Sequence, residues 1–356
     1  MAFVGSGRAK LILFGEHAVV HGHPALGIGL PGQLTVSWTP GGNQLVLNCP
    51  EEYKPSIRLA FQRIAGHFEL EGSVRTSTPA WGLLEFESDI PVSSGLGSSG
   101  AVCVAMARAI AVGKAAVPGI VKAGPGQTTL ADEAAIWAAA HDGERVFHGR
   151  PSGVDTGLAL WHRLCLFTPQ AEGLPAVGFL PGMGINLVYG TVPREASCAA
   201  NVAAIGKAMA AGDTGISAAL AELGRLSSQA ASLLARNAGV LAKAGNLTAQ
   251  EGALSIREGD LSDQRDAAAT GLGTLANAAM SILRNLDLST PAMNAILAAG
   301  LAAGATGGKL SGGGAGGAFW LACPASPDVQ RIRTAVIDEA RRLGLPGNAF
   351  TGVTTI

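Results

Sequence analysis

Pro91-Val92-Ser93-Ser94-Gly95-Leu96-Gly97-Ser98-Ser99-Gly100 holds three glycines and four serines, and Ala101-Val102-Cys103-Val104-Ala105-Met106-Ala107-Arg108-Ala109-Ile110 follows it directly. The second stretch is small and apolar without Pro or Gly, which predicts a buried helix over 101–111. A small-residue loop that opens a helix leaves backbone N–H groups unpaired at the positive end of the macrodipole. Glycines let the backbone approach an anion closely, and serine hydroxyls add donors or metal ligands, so the stretch suits a phosphate. The same residues also fit an ordinary Ser N-cap behind a glycine turn.

Composition narrows the classes. The chain has 356 residues, with 48% hydrophobic and 14% charged residues, against a usual charged share of about 25%. Much of the apolar excess is Ala, which helices tolerate at a surface, so the composition reads as soluble and globular. The longest apolar candidate, Met293 to Ala305, is too short to span a bilayer. The N-terminal residues Met1 to Gly7 lack a basic region and a long apolar core, so no export signal is expected and the expected location is cytoplasmic. A formal net charge of -1 without a basic stripe argues against nucleic acid and against a polybasic membrane anchor. Cys49, Cys103, Cys165, Cys198 and Cys323 are scattered and odd in number, which argues against a zinc or disulfide framework.

Along the chain, short strands are expected at 9–14, 25–30, 33–38, 43–48 and 83–87, with turns at Pro31-Gly32 and Pro40-Gly41-Gly42. Helical periodicity covers 56–70 and 129–146, and a Gly/Pro-rich connector is expected over 112–126. Further strands are expected at 157–161, 164–168 and 184–191. Beyond Pro193 the pattern is mostly helical, at 195–211, 216–236, 263–285 and 291–303, while 237–262 gives no clear signal. A second glycine cluster, Gly307 to Gly317, enters a strand at 318–323, followed by a helix at 327–343 and a strand at 349–354. Strands come first and helices later, which predicts α+β in two domains, 1–180 and 181–356.

Familiar motifs fail in instructive ways. The P-loop and the G-x-S-x-G elbow are absent. Gly312, Gly314 and Gly317 satisfy G-x-G-x-x-G but lead into a strand, which removes the dinucleotide context. Glu16-His17-x3-His21-x-His23 invites a zinc reading, yet the 17/21 spacing needs a helix to put both rings on one face. Val19, Val20 and the flanking glycines argue against one. Glu144 at a helix end and Asp155 past a Pro-Ser-Gly turn could converge on one pocket. A phosphate loop, two carboxylates and Lys10 together form a set suited to Mg²⁺-assisted phosphoryl transfer.

These residues resemble a known family. Lys10-Leu-Ile-Leu-Phe-Gly-Glu-His-Ala-Val-Val-His-Gly22, the Pro91–Ser99 loop and the Lys309–Gly317 loop are similar to the three motifs of the GHMP kinases, in that order. Gly143-Glu-Arg145 and His148-Gly-Arg-Pro-Ser-Gly-Val-Asp155 narrow the resemblance to the mevalonate kinases. It implies an N-terminal ribosomal-protein-S5-like α/β domain, a C-terminal ferredoxin-like α/β domain, and phosphorylation of the mevalonate 5-hydroxyl by ATP. Gly95, Leu96, Gly97, Ser98 and Ser99 would wrap the ATP phosphates, and Ser98 and Glu144 would hold Mg²⁺. Asp155 would take the acceptor proton, and Lys10 would lower the hydroxyl's pKa or neutralise the transferring group. Glu16 and His17 would line the mevalonate pocket, with Ser311, Gly312 and Gly314 in the last glycine loop.

Three departures stand out. Arg8-Ala9-Lys10 replaces the commoner Pro-Gly-Lys. Ser311 opens the last loop where Thr is commoner, and Ala315 replaces a glycine, which strains the backbone if that position needs φ > 0. Ala279-Met280 stands where the family often has Asn-Gln. The resemblance also admits a sugar or phosphomevalonate acceptor and, from another class, a non-catalytic nucleotide-binding protein. Retention of Lys10, Ser98, Glu144 and Asp155 together argues against the last. The low charge and Ala-rich C-terminal half leave room for a homodimer.

Overall fold

The computed structural model describes residues 1–68, 81–116, 130–195, 198–250, 258–324, 328–345 and 351–356. β1 (Phe3–Phe14), β2 (Ala25–Pro40) and β3 (Leu45–Asn48) precede α1 (Lys54–His67), and β4 (Gly82–Ser88) follows. Next come α2 (Ser98–Ala116), α3 (Leu130–His148) and α4 (Val154–Trp161), then β5 (Leu164–Thr168), β6 (Ala176–Phe179) and β7 (Asn186–Val192). α5 (Cys198–Ala210), α6 (Thr214–Gln250), α7 (Glu258–Asn285) and α8 (Pro291–Ala302) form the helical run. β8 (Gly307–Ser311), β9 (Gly317–Cys323), α9 (Asp328–Arg342) and β10 (Thr351–Thr355) close the chain. The expected α+β class is borne out. Two compact units interleave in sequence: Met1–Lys10, Gly29–Val92 and Leu96–His162 form one, and Leu11–Ile28, Ser93–Gly95 and Arg163–Ile356 the other.

In the first unit, Leu34–Pro40 of β2 pairs antiparallel with β4, and β4 pairs parallel with β3. Trp38 packs between Phe3 and Phe61, at ring-centroid distances of 6.0 and 5.9 Å. α2 is buried along nearly its whole first half, from Ala101 through Ala107 and at Ala109 and Ile110. Its small side chains have a steric reason: β1 runs against the helix backbone. A Cβ on Gly7 would stand 2.1 Å from the Ala101 carbonyl oxygen, and one on Gly5 2.1 Å from that of Ala105. Arg108 interrupts the apolar run by donating to the carbonyls of Ser6 (2.7 Å) and Leu160 (2.8 Å), so it stitches β1 and α4 to α2.

In the second unit, Ala25–Ile28 pairs antiparallel with β5, which pairs with β6. A four-stranded antiparallel sheet has the order β10-β7-β9-β8. Every residue of β8 and β9 is buried; β9 is a central strand, and the edge strand β8 is covered by α7 and α8. Trp320 of β9 meets Phe14 edge-on at 5.7 Å. Asn277 of α7 accepts the Gly308 N–H (3.1 Å), and Ala279 and Met280 beside it are core residues.

Several elements differ from the sequence expectation. Residues 157–161 belong to α4, not to a strand: the five-residue apolar run is too short for its period to decide. Gly153, at φ 83, turns the chain into the helix. Pro31-Gly32 makes no turn, because β2 runs on for 16 residues. Pro31 lies between the ladder to β5 and the ladder to β4, where a residue without an N–H is tolerated. α2 continues to Ala116, while 117–126 of the expected connector lies outside the described residues. Gly307–Ser311 is a strand rather than loop. Among the described residues, no helix is long and apolar enough to cross a membrane.

Gly7→Ala should destabilise the chain by about 2–3 kcal/mol, because the added methyl meets backbone that cannot turn aside. Urea unfolding checks this, and an unchanged midpoint would show that β1 can shift off α2.

Candidate active site

The opening loop has the expected geometry. Gly95 and Gly97 take φ of 88 and 83, and α2 begins at Ser98. The Gly97 carbonyl accepts the Ala101 N–H (2.9 Å), so the N–H groups of Ser98, Ser99 and Gly100 fall in the turn that has no intrahelical acceptor. Leu96 turns into the core and anchors the loop. Lys10 donates its backbone N–H to the Leu96 carbonyl (2.9 Å), and its stem lies across Gly97, where a Cβ would come within 2.5 Å of Lys10 Cγ. Gly97 therefore has two reasons to be glycine, its φ and the lysine beside it.

Lys10 is 3% exposed and its Nζ lies 3.0 Å from Asp155 Oδ1. Asp155 sits in the first turn of α4. The turn is pinned at Gly153, whose carbonyl accepts the Trp137 indole N–H (3.0 Å) and the Thr156 hydroxyl (3.2 Å). Glu144, one turn before the end of α3, is completely buried, and neither carboxylate oxygen meets a donor in full hydrogen-bond geometry among the described residues. Burial pushes its carboxyl well above the usual range and the Asp155 charge adds to this, while Lys10 and Thr156 pull it back. A carboxyl group so placed ionises when a cation faces it, so the site fits a divalent ion. Glu144, His148 and Asp155 bring ligand atoms within 4.8 Å of one another, the one such cluster among the described residues. His148 was not marked by the sequence reading as a site residue. It lies one helical turn past Glu144 on α3, and its Nε2 is 3.0 Å from Ser99 Oγ.

The second unit holds the other anticipated residues. Glu16 is buried and accepts from Lys309 Nζ, which also donates to the Leu310 carbonyl (2.6 Å). Burial lowers the Lys309 pKa and Glu16 raises it. The spacing of 293 residues between these partners hides the pair from sequence reasoning. Ser311 accepts the Ile12 N–H on its hydroxyl (2.9 Å), so the last glycine loop is tied to β1 at its first residue. Gly312 and Gly314 take φ of 85 and 76. Ala315 does stand at positive φ, 53, a conformation that strains an L-residue by about 1–2 kcal/mol. It is held there by bonds to the Leu288 carbonyl and from the Glu195 N–H, both 2.8 Å. His17 has φ 60 and leads a 3-10 turn, Ala18–His21, not the α-helix a His17/His21 metal pair requires.

Burial lowers the His17 pKa from 6.5 to about 4, against the Gly313 backbone and with help from the His21 and Lys309 charges. The folded state thus binds the proton less readily than the unfolded chain. Stability present above pH 6.5 is lost as pH falls towards 4, by about 2 kcal/mol between pH 7 and pH 5. Urea midpoints of wild type and His17→Asn at the two pH values check this: the difference should shrink in the variant, and an equal difference would assign the acid sensitivity elsewhere.

Comparison with known proteins follows the same lines. Residues 60–162 match the family described as GHMP kinases N terminal domain. The mevalonate kinase of Aeropyrum pernix is 27% identical over 326 residues, covering 88% of this chain and 86% of its own. That of Pyrococcus horikoshii is 26% identical over 345 residues, covering 90% and 88%. The structure of L. major mevalonate kinase in complex with R-mevalonate superposes with a TM-score of 0.69 at 23% identity, over 100% of this chain and 96% of that one. Residues 60–162 thus match the GHMP kinase N-terminal domain, and the fold of the whole chain is similar to that of solved mevalonate kinases.

Proposed function

We propose that this chain is an ATP-dependent mevalonate kinase, transferring the γ-phosphoryl group to the 5-hydroxyl of mevalonate. Likeness to curated mevalonate kinases over about nine-tenths of the chain supports the acceptor. The observation that carries the chemistry is the Lys10–Asp155 pair beside the buried Glu144. In this reading Asp155 takes the proton of the acceptor hydroxyl on a carboxylate oxygen. The Lys10 ammonium, 3.0 Å from that carboxylate, holds it in place and offers positive charge to the oxygens of the transferring group. Backbone N–H groups at the start of α2, with the Ser98 and Ser99 hydroxyls, bind the nucleotide phosphates. Glu144 and Ser98 would hold Mg²⁺, which when bound with the nucleotide neutralises phosphate charge. Glu16 and His17 are read as acceptor-side residues, with Glu16 acting through its tie to Lys309.

ADP release measured across mevalonate, phosphomevalonate, galactose and homoserine should be strongest with mevalonate. Turnover of another acceptor but not of mevalonate would overturn the substrate assignment. Asp155→Asn should lower kcat by about 100-fold or more, the usual worth of a positioned base, with little change in ATP affinity. Near-normal kcat would remove Asp155 from the proton transfer.

A further inference from the structure

We propose that Glu144, His148 and Asp155 together form a binding site for a divalent transition cation, manganese being the test case, that fills without nucleotide. Glu144 and His148 are four residues apart on α3 and so project from one face of the helix, and Asp155 meets them from the first turn of α4. Their donor atoms lie within 4.8 Å of one another. Opposed donors around one octahedral ion, at bonds of about 2.1 Å, span about 4.2 Å, so a small adjustment of side chains closes the set.

Two observations go beyond proximity. Glu144 is fully buried, and although the Thr156 hydroxyl lies near it, that hydroxyl donates to the Gly153 carbonyl. Neither carboxylate oxygen meets a donor in full hydrogen-bond geometry among the described residues, so the deepest corner of the cluster offers two acceptor oxygens. At the opposite corner His148 is exposed, which provides an entry path. Its ring is held by the Ser99 hydroxyl at 3.0 Å, and a bond of this kind is what orients metal-binding imidazoles in proteins. The donor set decides the ion. Carboxylates suit Mg²⁺ and Mn²⁺ alike, whereas an added imidazole nitrogen suits transition ions such as zinc, iron and nickel; manganese shares the carboxylate preference and reports its ligands by its unpaired electrons. A cation held here engages Asp155 and competes with Lys10 for it.

The site overlaps the proposed transfer centre, but its test uses neither nucleotide nor acceptor and can fail while the kinase reading stands. Nucleotide-free full-length chain is titrated with Mn²⁺ and followed by electron paramagnetic resonance. One Mn²⁺ per chain is expected, with ¹⁴N modulation from a coordinated imidazole in the pulsed spectrum. His148→Ala should abolish that modulation and weaken binding about 10-fold or more, and Glu144→Gln should weaken it likewise. No stoichiometric binding, no ¹⁴N modulation in the wild type, or modulation that persists in His148→Ala would each overturn the proposal.

Discussion

The first unit depends on one lysine. Lys10 gives its backbone N–H to Leu96, lays its stem over Gly97 and places its ammonium 3.0 Å from Asp155. A single side chain thereby links β1, the loop before α2 and the first turn of α4. The ammonium is almost out of water while Asp155 remains about a quarter exposed, so the attraction is screened less than at a surface and the carboxylate keeps a side open. The substitution of Arg8-Ala9 for the commoner Pro-Gly has not dislodged it. Ala9 is buried, its Cβ 3.2 Å from where one on Gly32 would stand, and the Arg8 guanidinium bonds the Pro31 carbonyl (2.9 Å).

The second unit solves a parallel problem with a more expensive device. Glu16 and Lys309 form an ion pair with side chains 1% and 0% exposed, and two charges in such a place give up more hydration than their attraction readily returns. What the pair supplies is register. With the Ser311–Ile12 bond it fixes the start of the last glycine loop to the end of β1 at two points. That loop then tolerates Ala315 in a left-handed conformation, since flanking hydrogen bonds over-determine it.

Much of this was legible in the sequence because local chemistry demanded it. The glycines of the 91–100 loop and the apolar run behind it announced a helix start suited to phosphate, and Glu144 and Asp155 did converge. The Ala315 strain followed from the residue's position in a glycine series. Other features depend on tertiary context. A five-residue apolar run could not declare α4 a helix, because burial on every side erases the periodicity that patterning relies on. Pro31 punctuates many chains, yet here it falls where β2 changes partners. The Glu16–Lys309 pair and the His148–Ser99 bond join residues far apart in sequence, and no spacing rule reaches them.

The central claim is that these groups deliver a phosphoryl group to one particular oxygen. Its most direct test is the product itself: purified chain, ATP, Mg²⁺ and R-mevalonate, followed by ³¹P and ¹H NMR. The account predicts a phosphomonoester whose phosphorus couples to the methylene protons on carbon 5, formed in step with ADP. Inorganic phosphate alone, or phosphorus attached at the tertiary 3-hydroxyl, would contradict it.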